Sequence, residues 1–255
     1  MKFQKAVDDK VKAFLVTQDL KDEDYVNNHY VIMATKKGQV KKTSLEQYSR
    51  PRTNGINAIT IREDDELLEA KLTTGDSQVM LALKSGKTIR FEEEKTRPMG
   101  RTASGVRGIR LQHDQDEVIG MVAVNDEESN ILVVSEKGYG KRSKLEDYRI
   151  TNRGGKGVKT LNISEKTGSL VAIKNVTDDD DLMIINKSGI TIRMAVADLR
   201  VMGRATQGVK LINIKETDSI AAVAKVQHEE ESEEVEDGIE NETVIENDST
   251  ENKEE

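Results

Sequence analysis

The chain has 255 residues, with 39 Lys+Arg against 47 Asp+Glu and a formal net charge of −8; taken whole, that balance argues against a nucleic-acid partner. It has no cysteine, which excludes disulfides, thiolate nucleophiles and cysteine-ligated metals, and its three scattered histidines, His29, His113 and His228, do not compose a metal set. The length allows one large domain or two small ones with ample core.

In chain order, MKFQKAVDDKVK has no signal-peptide pattern, and no apolar run is long enough to span a membrane, so a cytoplasmic location is expected. KFQKAVDDKVKAFLV reads as a brief helix or an edge strand. One unit then occurs four times. Its first half is a β-branched run, a turn and a second run: YVIMATKKGQVKKTSL from Tyr30, QVMLALKSGKTIRF from Gln78, NILVVSEKGYGKRSKL from Asn130 and DLMIINKSGITIRM from Asp181. Its second half is a basic stretch with a glycine and another apolar run: SRPRTNGINAITI, TRPMGRTASGVRGIRL, RITNRGGKGVKTLNI and RVMGRATQGVKLINI. The turn glycines Gly38, Gly86, Gly138 and Gly189 and the second-half glycines Gly55, Gly105, Gly157 and Gly208 keep the same period of 48 to 52 residues. An acidic connector and a last apolar run (LLEAKLT, VIGMVAV, SLVAIKNV, SIAAVAKV) complete each copy.

Short β-branched runs bounded by glycine or charged turns are strands, and KKG, KSG and EKG suit tight hairpins. MAVADL near Met194 is a second place with a brief-helix reading, against an edge strand or turn. About four strands in about fifty residues describe a propeller blade, with a linear solenoid as the alternative. Without tryptophan this is no WD-type propeller, and its core rests on Val, Ile, Leu, Met and Ala. The expected fold is therefore all-β, with blades at 28–75, 76–127, 128–178 and 179–226, after residues 1–27 as a strand or remnant of a preceding blade. From Gln227 to Glu255 there are 14 acidic residues and one lysine, Lys253, so this tail is expected to be disordered. Residues 1–226 hold 38 Lys+Arg against 33 Asp+Glu. A mildly basic body thus carries an acidic tail, which is either a solubility device or a competitor for the body's basic surface.

Each unit places cations at matching positions: Arg50 and Arg52; Arg97, Arg101 and Arg107; Arg149, Arg153, Lys156 and Lys159; Arg200, Arg204 and Lys210. Arranged around an axis they would form a discontinuous basic track suited to a long curved polyanion, duplex DNA, held through its phosphates. No aromatic platform accompanies the track, which disfavours single-strand binding by stacking. The densest site is TNRGGKG, residues 151–157. There Gly154 and Gly155 would let the backbone approach a phosphate and offer it N–H groups, flanked by Arg153 and Lys156. A glycine-rich linker with solvated charges is the competing reading, and the stretch lacks the pattern of a nucleotide loop. The DDDD run at Asp178–Asp181 reads as a solvated connector rather than a cation site.

The array KKGQVKKTSLEQYSRPRTNG, LKSGKTIRF with TRPMGRTASGVRGIRL, SEKGYGKRSKLEDY and RVMGRATQGVKLI resembles the C-terminal domain of the bacterial DNA gyrase A protein, over roughly residues 5–226. The resemblance implies a β-pinwheel whose blades exchange strands, and a rim that wraps DNA in support of ATP-dependent negative supercoiling. It also implies the remainder of gyrase A, and gyrase B, in an A2B2 assembly, as partners. The family's box, QRRGGKG, stands in the first of usually six blades. TNRGGKG matches it at Arg153, Gly154, Gly155, Lys156 and Gly157, with Thr151 in place of glutamine and Asn152 in place of arginine. The four units resemble the last four of six, so a fragment beginning late in gyrase A is expected. Nothing resembles the DNA-cleaving region. Tyr48 and Tyr148, in LEQY and LEDY, take equivalent repeat positions, a structural pattern rather than that of a nucleophile. The chain alone is expected to be inactive and to bind no cofactor, with ATP and Mg2+ belonging to the holoenzyme. The alternatives are the related domain of topoisomerase IV and a propeller-type protein scaffold.

Overall fold

The computed structural model describes residues 10–215 and 217–227. A five-residue helix, α1 (Glu23–Asn27), precedes fifteen strands. The first unit supplies β1 (Tyr30–Thr35), β2 (Gln39–Ser44) and β3 (Leu67–Thr73). The second supplies β4 (Gln78–Leu83), β5 (Lys87–Glu92), β6 (Val106–Arg107) and β7 (Val118–Val124). The third supplies β8 (Asn130–Ser135), β9 (Tyr139–Lys144), β10 (Val158–Lys159) and β11 (Leu170–Val176). The last supplies β12 (Asp180–Asn186), β13 (Thr191–Ala195), β14 (Val209–Lys210) and β15 (Ile220–Gln227).

The strands assemble into four antiparallel sheets, the blades of a propeller-like domain, in the orders β3-β1-β2-β6, β10-β5-β4-β7, β11-β8-β9-β14 and β13-β12-β15. Blades therefore do not coincide with repeat units: β6, β10 and β14 each complete the sheet of the unit before their own. β3, β7, β11 and β15 contact one another in succession and form a common row. The donated strands lie at the opposite edges.

The central apolar runs of the first three blades are buried on both faces because each of these blades is packed between two cores, whereas the fourth packs on one. One core joins Ile32 and Val40 to Leu81, Phe91 and Met121. The next joins Met80 and Val122 to Ile131, Tyr148 and Leu161, and a third joins Leu132 to Leu182, Ile184 and Ile220. Two glycines show why the repeat markers recur. Gly86 turns the β4–β5 hairpin at φ 81°, and a Cβ there would lie 2.8 Å from the Leu161 carbonyl oxygen. Gly157 has φ 70°, and a Cβ would lie 2.7 Å from the Thr88 carbonyl oxygen, so only glycine lets the donated strand seat.

Two open local readings are decided, and one expectation changes. Residues 10–17 form neither helix nor strand. α1 forms instead, where the Asp22 carboxylate caps the Asp24 and Tyr25 N–H groups at 3.0 and 3.1 Å. MAVADL takes its edge-strand reading: Met194 and Ala195 belong to β13, and the Val196 N–H donates to the Asp180 carbonyl. Strand pairing overrides local propensity there. DDDD is only half a solvated connector, because Asp180 and Asp181 are buried in β12. Asp180 accepts from the Thr177 N–H at 2.7 Å and pairs with Lys225 at 3.2 Å, and Asp181 pairs with Arg193 at 2.6 Å. The acidic segment 228–255 and the stretch 1–9 lie outside the described residues.

Candidate nucleic-acid interface

The basic stretches of the second, third and fourth units are each clamped at two places on the neighbouring blade. Upstream, parallel bridges join Pro98 to Lys42, Ile150 to Arg90 and Val201 to Arg142. Downstream, Val106–Arg107, Val158–Lys159 and Val209–Lys210 pair antiparallel with β2, β5 and β9. The hairpin glycine then takes two N–H groups from the incoming chain; the Gly86 carbonyl accepts from Thr160 at 2.9 Å and Leu161 at 3.3 Å. Arg101, Arg153, Lys156 and Arg204 lie between the clamps, Arg107, Lys159 and Lys210 in the downstream clamp, and Arg97, Arg149 and Arg200 next to the upstream bridge, so they are presented on a fixed backbone.

Arg50, Arg52, Arg97, Arg107, Arg149, Lys156, Lys159, Arg200 and Lys210 are exposed, and Arg101, Arg153 and Arg204 are half-buried. The Arg153 Nη1 donates to the Arg107 carbonyl at 3.0 Å and its Nε to the Lys95 carbonyl at 2.9 Å. Arg204 repeats the move one seam later, donating to the Lys159 carbonyl at 2.8 Å. The geometry thus brings Arg153 to Arg107 and Arg204 to Lys159 across the seams. Arg50 and Arg52 sit on a stretch that forms no strand on another blade. None of these cations forms an ion pair among the described residues. Instead, the connector carboxylates Glu66 and Glu117 pair with Lys12, Lys36 and Lys84.

In TNRGGKG, Gly154 takes φ 79° and supplies the turn. Its N–H is not offered outward as expected: it donates to the Gly108 carbonyl at 2.5 Å, because the loop closes onto the preceding donated strand. Gly155 accepts from the Arg110 N–H at 2.8 Å and packs over Ile89. Beneath the loop lies a cavity of about 220 Å³, lined in part by Ile89, Arg90, Arg149, Asn152 and Lys156. The charge available here is therefore side-chain charge, chiefly Lys156.

Sequence reasoning missed a second set of cations, on β2, β5 and β9, that are buried and hold the stretches down. Arg90 Nη1 donates to the Leu145 and Tyr148 carbonyls at 2.8 and 2.9 Å. Arg142 donates to the Leu199 carbonyl and pairs with Asp178. Lys42 pairs with Glu93 at 2.9 Å in a buried contact. Lys41 and Lys141 are fully buried beneath loops: Lys41 Nζ donates to the Ala58 and Arg101 carbonyls, each at 2.5 Å, and Lys141 Nζ to the Gly203 carbonyl at 2.6 Å. Burial lowers both ammonium pKa values from 10.5 to about 8, helped at Lys41 by the nearby Arg101 charge. A signal was present: the fourth residue after every turn glycine is a cation, Lys42, Arg90, Arg142 or Arg193. Tyr48 and Tyr148 are structural, with hydroxyls meeting the Ala58 carbonyl at 3.2 Å and the Thr160 hydroxyl at 2.6 Å.

Among the described residues no group of three or more acidic or histidine side chains is placed to hold a metal ion, and no helix is long and apolar enough to cross a membrane. The profile of the family described as the DNA gyrase C-terminal domain, beta-propeller, matches residues 29–74, 79–125, 129–177 and 180–227. The DNA gyrase A protein of Staphylococcus aureus strain NCTC 8325 is 43% identical over 249 residues, covering 97% of this chain and 27% of the relative. The same protein of strain MRSA252 is 44% identical over 227 residues, covering 89% of this chain and 25% of the relative. The chain thus spans about a quarter of the length of these relatives, and its match is confined to their C-terminal domain, apart from their catalytic regions. Among solved structures, the C-terminal domain of DNA topoisomerase IV superposes with a TM-score of 0.74 at 24% identity, over 78% of this chain and 62% of that one. A DNA gyrase A C-terminal domain superposes with a TM-score of 0.70 at 24% identity, over 78% and 66%. These two likenesses bear on the fold alone.

Proposed function

The chain belongs to the DNA gyrase C-terminal domain family of β-propellers, and from that membership we propose that it binds, bends and wraps duplex DNA without reading its sequence. The observation that carries the reading is the set of cations on the clamped stretches, none of which is neutralised by a carboxylate among the described residues. A protein-interaction scaffold would be expected to pair them with its own acidic connectors. Lys156, Lys159, Arg107 and Lys210, exposed on fixed backbone, are the leading phosphate contacts. Bending a short duplex site costs about 1–6 kcal/mol, and several contacts at fixed angles offset it.

In this reading the blades at 28–75, 76–127, 128–178 and 179–226 are the last four of a six-bladed disc. The chain then works as the C-terminal part of a gyrase A protein, with gyrase B in an A2B2 assembly, in the bacterial cytoplasm at the nucleoid. ATP, Mg2+ and DNA cleavage belong to other parts of that assembly, which would use the wrap to introduce negative supercoils.

The test is ligation of nicked circular DNA in the presence of the protein, followed by measurement of linking number. A shift that grows with protein and shrinks in the triple variant Lys156→Ala, Lys159→Ala, Lys210→Ala supports wrapping. Binding without a shift would reduce the function to DNA capture, and absence of binding at low salt would favour the scaffold.

A further inference from the structure

The connector before the last strand of each unit has an aspartate at one fixed place in three units and lacks it in the third. Backbone bonds fix the equivalence: the residue two before each turn glycine donates its N–H to the carbonyl of Glu66, Glu117, Ser169 or Ser219. The residues just before these acceptors are Asp65, Asp116, Gly168 and Asp218. In the first two units the aspartate accepts from the hairpin N–H groups of Lys37 and Ser85, at 2.9 and 3.1 Å, and Glu66 and Glu117 pair with lysines. The third unit has Gly168-Ser169 there, and the Lys137 N–H turns to the Thr167 carbonyl at 3.1 Å. The connector has thus lost both carboxylates at this hairpin, and two residues before Gly168 it carries a cation, Lys166.

Beside that hairpin lies a cavity of about 440 Å³ whose wall holds Lys137, Lys166, Lys210 and Lys215 around Tyr139; small-molecule sites commonly run to about 300–1,000 Å³. All four lysines are exposed, and separate segments bring them together. Lys137 Nζ donates to the Glu165 carbonyl at 2.5 Å, and Lys166 Nζ stands 5.4 Å from the centre of the Tyr139 ring. Lys210 pairs with Tyr139 between β14 and β9, and the Lys215 carbonyl accepts from the Asp218 N–H at 2.9 Å. None of the four forms an ion pair among the described residues. The carboxylate in the wall, Asp218, accepts instead from the Ser188 hydroxyl and the Ser219 N–H, each at 2.8 Å. We propose that this cavity is an anion site for a short oligophosphate chain, free or carried by a nucleotide. Ammonium groups gathered around one cavity repel one another, and an anion of several charges relieves that repulsion at all of them together. A duplex is stiff and convex and would lower a single phosphate here, whereas a short chain can follow the concave wall. Lys210 is the one member shared with the proposed DNA contacts, so the site does not rest on DNA wrapping.

The experiment is isothermal titration calorimetry on the full chain without DNA or Mg2+, at physiological salt, so its outcome is separate from that of the wrapping assay. The probes are tripolyphosphate, ATP and orthophosphate. Tripolyphosphate is expected to bind once per chain and at least about tenfold tighter than orthophosphate. The double variant Lys166→Ala, Lys215→Ala should weaken it at least about tenfold. Lys37→Ala, Lys95→Ala removes the same charge from exposed positions elsewhere and should leave it unchanged. ATP binding as tightly as tripolyphosphate would support a nucleotide as the source of the chain, and rejection of ATP would support the free chain. No binding, equal affinity for orthophosphate, several equivalent sites or an equal loss in the Lys37, Lys95 variant would each overturn the proposal. The ratio measured on the unaltered chain keeps the test decisive if a variant does not fold.

Discussion

At Arg153 two guanidinium donors are used on the carbonyls of Lys95 and Arg107, while Lys156 is exposed on the same loop. The two residues therefore respond differently to truncation. Arg153→Ala should lower stability by about 1–2 kcal/mol, read as a fall in melting temperature, because two backbone acceptors lose a charged donor. Lys156→Ala should leave the melting temperature in place and reduce the slope of log affinity for duplex DNA against log salt by about 0.9, one phosphate contact. Lys41 and Lys141 add a pH dependence. Their ammonium groups titrate near 8 in the folded chain and near 10.5 when unfolded. Between those values the unfolded chain holds more protons, so stability should rise as pH increases from 8 to 10, by at most about 1.4 kcal/mol per pH unit for each lysine. Below pH 8 both states are protonated and the folded chain bears the full cost of the buried charges. Denaturant titrations across that range should show the rise, and the Lys41→Met, Lys141→Met double variant should flatten it. Burial raises the pKa of Tyr48 and Tyr148, so they act in the opposite sense only once pH reaches 10, their ordinary value.

At the scale of elements, the two-residue strands β6, β10 and β14 are too short to stand as strands by themselves. They are held by the upstream bridge and the turn-glycine carbonyl, together with a buried arginine at β10 and β14 and the buried Lys41 at β6. Arg90→Met should cost about 2–4 kcal/mol, since it leaves the Leu145 and Tyr148 carbonyls without their charged donor. Amide exchange at Thr151 and Thr160 should quicken in parallel. Arg90→Lys should recover little of this, because a point charge cannot serve two carbonyls and Gln78 in one plane; unchanged exchange would show that the strand pairing alone holds the seam. The hairpins were legible in the sequence because glycine and β-branched residues declare them within a few positions. The blade that each donated strand joins was not, because Val158-Lys159 carries no mark of its partner. QVKKTS carries two lysines in one strand, and Lys41 and Lys42 become interior only when the next unit folds over them.

For the whole molecule, each large core is shared by two blades, so no blade buries its apolar faces alone. Urea unfolding followed by tyrosine fluorescence and by far-UV circular dichroism should therefore give coincident transitions. Separated midpoints would mean that the seams are weaker than their shared cores and clamps imply.

The sequence by itself determined the four repeats, the hairpins, the all-β class and the positions of the exposed cations. These rest on local chemistry: β-branched runs, turn glycines and charges repeated with a fixed period. Only the tertiary structure decided which strand each blade receives, that the Gly154 N–H is used internally, and that one set of cations is buried while another is exposed. Those outcomes depend on which unit covers which, and contacts such as Arg153 to Lys95 or Lys141 to Gly203 join residues 58 and 62 positions apart. Their partners come together only when one unit docks on the next.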